Sequence, residues 1–159
     1  MQVSELLEYV PESISLILEP TQNQGALYLG NITSLFKSPQ KYQIKAAISI
    51  CEDLDLKEVQ LEQHLRIVLN DLDNSNIKQY FDQTNQFIQQ NLNKGNLLVH
   101  CMAGVSRSAA IVIAYLMWSQ KMTFQNALIY VTKKREQVYP NKGFRQQLIL
   151  YEEELKNVK

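Results

Sequence analysis

The sequence predicts an α/β fold, a central, mostly parallel five-stranded sheet flanked by helices. Three observations carry this. Short apolar runs of strand length alternate with segments of helical periodicity, the pattern that successive βα units of a parallel sheet produce. One such unit, residues 97–118, passes from an apolar strand through a tight polar loop into an apolar helix. The chain has 159 residues, 45% of them hydrophobic, which suits a single domain, 1–159, able to bury about two-thirds of its unfolded surface.

In chain order, residues 4–9 carry Leu6 and Leu7 between acids, enough for a helical turn before Pro11. Residues 14–18 and 27–29 are two short strands, with residues 21–25 as the turn of a hairpin or sheet edge. A short helix over residues 32–36 must end before Pro39. Residues 46–50 form a strand that ends in Cys51, residues 52–62 are an acidic loop, and residues 65–69 are the fourth strand.

After a loop at residues 71–76, a helix starts near Ile77, and Ile77, Phe81, Ile88 and Leu92 recur at helical spacing. The many Asn and Gln residues between 79 and 96 are interleaved with these apolar positions and read as solvated helix surface. Lys94-Gly95-Asn96 is a turn signal before the strand at residues 97–99. Thr123 caps a helix to about Arg135 that buries Phe124, Ala127, Leu128 and Val131, and Lys133-Lys134-Arg135 suits its negative end. The last helix starts at Pro140-Asn141, with Phe144, Leu148, Tyr151 and Leu155 on one face. His64 and Trp118 are assigned to surface and packing.

Composition narrows the partners. Sixteen basic and sixteen acidic residues cancel, so no overall field favours nucleic acid or an anionic membrane. No apolar run is long enough for a span or a signal peptide, and neither Gln2 nor the Asn157-Val158-Lys159 tail signals lipidation. Two cysteines without an export signal imply a reducing setting, cytoplasm or nucleus. A monomer is expected.

The strand-loop-helix unit reads Leu97-Leu98-Val99-His100-Cys101-Met102-Ala103-Gly104-Val105-Ser106-Arg107-Ser108. A loop closing into a helix N-terminus points free backbone N–H groups inward, where the helix dipole favours an anion. Gly104 supplies the backbone freedom such a tight ring needs. Cys101 starts the ring, where the dipole, the amides and Arg107 all favour thiolate over thiol, making it a nucleophile at neutral pH. Arg107 can present a planar fork to two phosphate oxygens, which a lysine cannot do bidentately. A free cysteine, a core histidine or a strand-glycine-helix turn is each common alone; their conjunction with Arg107 points to phosphoryl transfer to sulfur, with no metal or cofactor.

His100-Cys101-x5-Arg107-Ser108 resembles the signature of the dual-specificity protein phosphatases. The resemblance extends more weakly over residues 27–155, through Leu27-Tyr28-Leu29-Gly30-Asn31 and Pro140-Asn141-Lys142-Gly143-Phe144 with Gln147-Leu148. It implies that family's fold and a cysteinyl-phosphate intermediate. Met102, Ala103, Gly104, Val105, Ser106 and Arg107 would bind the phosphoryl group, His100 would hold the loop and tune the thiol, and Ser108 would help the thiolate leave. The family's general-acid aspartate precedes Tyr-Phe by a spacing that Asp71 meets with Tyr80-Phe81; Asp73 is the rival, and either could instead be a turn or cap residue.

In that family's fold the strands ending in Cys51 and Cys101 are parallel neighbours. Cys51 is therefore a candidate resolving cysteine that would trap oxidised Cys101 as a disulfide, or else a buried thiol packed like a small apolar residue. The short connection between Leu29 and Ala46 implies a shallow pocket, open to phosphoserine and phosphothreonine as well as phosphotyrosine. Phosphorylated proteins are the expected partners. The alternatives are a lipid or RNA-end phosphatase, disfavoured by the lack of basic side chains at Met102, Ala103 and Val105, and a pseudophosphatase that binds phosphoproteins without turnover.

Overall fold

The computed structural model describes residues 2–158. Five strands, β1 (Ile14–Leu18), β2 (Leu27–Gly30), β3 (Ile44–Cys51), β4 (Gln63–Val68) and β5 (Asn96–His100), form one sheet in the order β1-β2-β5-β3-β4. Only the β1–β2 pair is antiparallel, and β2, β5, β3 and β4 run parallel. The hairpin predicted from residues 14–29 is thus present, with β1 as one edge.

The two central strands, β5 and β3, are buried along nearly their whole length, as their continuous apolar runs require. One face of the sheet carries Ala46, Ile48, Ile50, Leu97 and Val99 against α3 (Phe81–Leu92), α4 (Arg107–Gln120), α5 (Phe124–Lys134) and α6 (Lys142–Lys156). Helix α4 is buried from Arg107 to Met117, which is why its sequence is apolar all round. The other face packs Ala47 and Leu98 against α2 (Ile32–Lys37) and Leu56 of the acidic loop. The N-terminal helix, α1 (Val3–Tyr9), is longer than the single turn expected.

Two further elements differ from expectation. The helix foreseen from Ile77 opens with a 3-10 turn, Lys78–Tyr80, before α3 begins at Phe81. Gln147 sets that start, its Oε1 accepting the Ile77 and Lys78 N–H groups at 3.0 Å each. Strand β4 begins at Gln63, earlier than the apolar run suggested, and so takes in His64, paired with Ala47. Because β2, β5, β3 and β4 are parallel, the loops after all four open on one edge of the sheet, where α/β folds place their ligands.

Candidate active site

Residues 101–106 link β5 to α4. Five successive carbonyls of this loop are held by groups outside it. His100 Nδ1 meets the Cys101 carbonyl at 3.0 Å, and the Ile32 N–H meets that of Met102 at 3.1 Å. Arg135 donates from Nη2 to Ala103 at 3.2 Å and from Nε to Gly104 at 2.9 Å, and the Tyr139 N–H donates to Val105 at 2.8 Å. In a trans peptide plane the N–H points opposite the C=O. Carbonyls turned outward in series therefore turn the amides from Met102 to Ser106 inward.

Gly104 has φ +70°, and a Cβ there would lie 2.6 Å from both the Gly30 carbonyl oxygen and Arg135 Nη2, so the ring admits only glycine at this position. Its N–H reaches Cys101 Sγ at 3.2 Å, and Ser108 Oγ lies 3.0 Å from the same sulfur. Ser106 does not cap α4 with its side chain; its Oγ instead accepts the Asn141 N–H at 2.9 Å. The first-turn amides of a 14-residue helix thus face the ring without a side-chain acceptor.

Arg107 is 4% exposed. Its Nη1 donates to the Leu69 carbonyl and pairs with Glu52 Oε1, both at 2.9 Å, while its buried Nε has no partner. A guanidinium pinned at one nitrogen and unpaired at Nε keeps an N–H for a tetrahedral anion.

Asp71 and Asp73 have different surroundings. Asp71 is exposed on the loop after β4, and its Oδ1 accepts the Asn141 side-chain amide at 2.8 Å. Asp73 lies against the start of α6, where its Oδ1 is 3.5 Å from the Gly143 nitrogen and its carbonyl occupies the space of any Gly143 Cβ. Asp73 is a packing partner of that helix start, and Asp71 is tied through Asn141 to the cradle.

Cys51 ends β3 as a buried free thiol. Burial pushes it up to about 11, against the opposing pull of the Arg107 charge. His100 is fully buried and lowered to about 4, first by burial, with its bond to the Cys101 carbonyl acting the other way. Its Nε2 lies 2.5 Å from Ser49 Oγ, which is also 2.7 Å from His64 Nε2.

Three features of the site escaped the sequence reading. Arg135, expected to complement a helix dipole alongside Lys133 and Lys134, is 2% exposed and braces the loop, with Nη1 also on Ser15 Oγ at 3.1 Å. The signal available was one arginine after two lysines, since only a guanidinium holds several donors in a fixed planar fork. Glu52 had a signal too, a carboxylate directly after a strand that ends at the loop edge. His64, expected at the surface, is half-buried and hydrogen-bonded, and nothing in its sequence neighbourhood marked it.

The fold and the loop define a class of protein in which the central strand of a mostly parallel sheet delivers a cysteine into a ring of backbone amides beside a buried arginine. The chain belongs to the dual specificity phosphatase catalytic-domain family, whose model matches residues 27–154. Among its relatives, the MAP kinase phosphatase with leucine-rich repeats protein 1 of Dictyostelium discoideum is 45% identical over 95 residues, 60% of this chain and 11% of the relative. The chain spans between 9% and 32% of the length of four Dictyostelium discoideum relatives that it matches. Among solved structures, human tyrosine phosphatase-like serine/threonine/tyrosine-interacting protein is 34% identical with a TM-score of 0.77, covering 88% of this chain and 95% of that one. DUSP15 is 33% identical with a TM-score of 0.73, covering 86% and 94%. No helix among the described residues is long and apolar enough to cross a membrane.

Proposed function

We propose that this chain is a dual-specificity protein phosphatase that removes phosphate from phosphotyrosine and from phosphoserine or phosphothreonine in proteins, through a phosphate ester of Cys101. The outward-turned carbonyls of residues 101–105 carry this reading, because they leave a ring of N–H groups around a buried sulfur. Preorganised donors of that kind stabilise the charge on a transferring phosphoryl group without reorganisation.

In the first step the Cys101 thiolate forms an S–P bond as the bond to the substrate oxygen breaks. Asp71 gives that oxygen its proton, while the Arg107 Nε edge and the loop amides hold the phosphoryl oxygens. In the second step water attacks phosphorus and gives a proton to Asp71. The S–P bond then breaks, and the Ser108 hydroxyl, 3.0 Å from Sγ, donates to the departing thiolate. His100 keeps the Cys101 carbonyl turned away from the ring.

Under peroxide, Cys101 would become a sulfenic acid. Cys51 would then attack it, forming the S–S bond and releasing water. Cys51 ends β3 and Cys101 follows the end of β5, its parallel neighbour, so both residues stand at the same edge of the sheet. A reducing compartment, cytoplasm or nucleus, suits two unpaired thiols.

The test is steady-state hydrolysis of an aryl phosphate and of phosphotyrosine and phosphothreonine peptides in chelator-containing buffer, with Cys101→Ser and Asp71→Asn beside the parent. Turnover that survives chelation, vanishes in Cys101→Ser and falls steeply in Asp71→Asn supports the reading. Phosphopeptide binding without turnover by the parent would make the chain a pseudophosphatase.

A further inference from the structure

Ser49 sits in the sheet between two histidines, His64 on edge strand β4 and His100 at the end of β5. The proton positions along this line follow from what each group can do. The Cys101 carbonyl, 3.0 Å from His100 Nδ1, can only accept, so Nδ1 carries the hydrogen. Burial keeps both rings neutral at neutral pH, each lowered to about 4. His100 Nε2 is therefore an acceptor and takes the Ser49 hydroxyl proton. Ser49, its one proton used, accepts from His64 Nε2–H. His64 Nδ1 is left as an acceptor for the Arg66 Nε–H at 3.4 Å. If His64 took the other tautomer, two ring nitrogens would compete for the single Ser49 proton, and His100 Nε2 would no longer have a donor of its own.

We propose that Ser49 and His64 are positioning residues that, through His100, hold the Cys101 carbonyl turned out of the loop and so the Met102 N–H turned into it. This rests on reading the loop as the phosphate site. His64 lies on a different strand from the signature residues, so the edge of the sheet helps to orient a fully buried ring. A buried histidine depends on such outer partners for its orientation, and losing one bond of a buried chain corresponds to about a fivefold effect on an equilibrium or rate.

The test combines ring 15N spectra of the two histidines at neutral pH with kinetics on the parent, His64→Gln, His64→Phe and Ser49→Ala. Glutamine can reproduce the Nε2 donor to Ser49; phenylalanine cannot. The expected parent spectrum has Nδ1 protonated in His100 and Nε2 protonated in His64. His64→Phe and Ser49→Ala should both perturb His100 and lower kcat about fivefold with KM changed less than about twofold, whereas His64→Gln keeps both near the parent. Nδ1 protonated in parental His64, or an unmoved His100 spectrum and kcat in His64→Phe, would overturn the proposal. The spectra are read whether or not phosphate is turned over. A perturbed His100 in a chain without activity would keep the relay and remove the phosphatase reading. An unperturbed His100 in an active enzyme abolished by Cys101→Ser would do the reverse.

Discussion

The side-chain amide of Asn141 donates to the carboxylate of Asp71 at 2.8 Å, while its backbone N–H donates to Ser106 of the cradle at 2.9 Å. One residue at the start of α6 thereby fixes where the proposed acid stands relative to the proposed nucleophile. Asn141 also caps α6 by accepting the Phe144 N–H at 2.9 Å. Serine can still cap but is too short to reach Asp71. Asn141→Ser should leave stability within about 0.5 kcal/mol. It should lower kcat/KM on a phosphothreonine peptide about tenfold while hardly affecting kcat/KM for an aryl phosphate with a good leaving group, whose first step needs little protonation. Paired kinetics on the two substrates check this.

Arg135 meets three acceptors, the Gly104 and Ala103 carbonyls and Ser15 Oγ. Arg135→Met would leave buried carbonyls unpaired, and Arg135→Lys offers one ammonium where a fork is needed. Denaturant unfolding should show both variants less stable, the methionine variant by on the order of 3 kcal/mol, with turnover lost in parallel.

Acid should weaken the fold through its histidines. The folded value of His100 is about 4 against 6.5 ordinarily, and His64 is lowered likewise. Between those values the unfolded chain binds protons that the folded chain refuses, so stability rises with pH through the window and is lost on acidification. His64→Gln removes one of the two groups. Urea titrations near pH 5.5 should then give a stability slope shallower than the parent's by about one proton.

With Cys51 pushed up to about 11, its thiolate is scarce at neutral pH and grows about tenfold per pH unit. If it resolves oxidised Cys101, the rate of disulfide formation after one equivalent of peroxide should rise nearly tenfold per unit between about pH 7 and 9. Trapping followed by peptide mass spectrometry reads this rate. A pH-independent rate, or sulfinic acid at Cys101 with no linked peptide, would count against the role.

The parts of the site legible in the sequence were those written in contiguous residues. The stretch from His100 to Ser108 declares itself because strand, glycine, helix start, cysteine and arginine lie within one loop, and the strands were legible because parallel central strands are apolar on both faces. Arg135, Glu52 and His64 were not, because each acts across the fold. Arg135 reaches the loop from the end of α5, Glu52 comes from the end of β3, and His64 depends on β4 starting two residues earlier than its apolar run. The 3-10 start before α3 was hidden for the same reason, since its cap is Gln147 on a helix about seventy residues later.

In the proposed mechanism phosphate passes through the sulfur of Cys101. The most direct measurement is rapid acid quench of the parent with a phosphotyrosine peptide, followed by peptide mass spectrometry under conditions that preserve phosphocysteine. One phosphoryl group is expected on the Cys101 peptide, formed in a burst, persisting longer in Asp71→Asn with an aryl phosphate, and absent in Cys101→Ser. Phosphate released at the full rate by the parent with no label on Cys101, or turnover retained by Cys101→Ser, would contradict it.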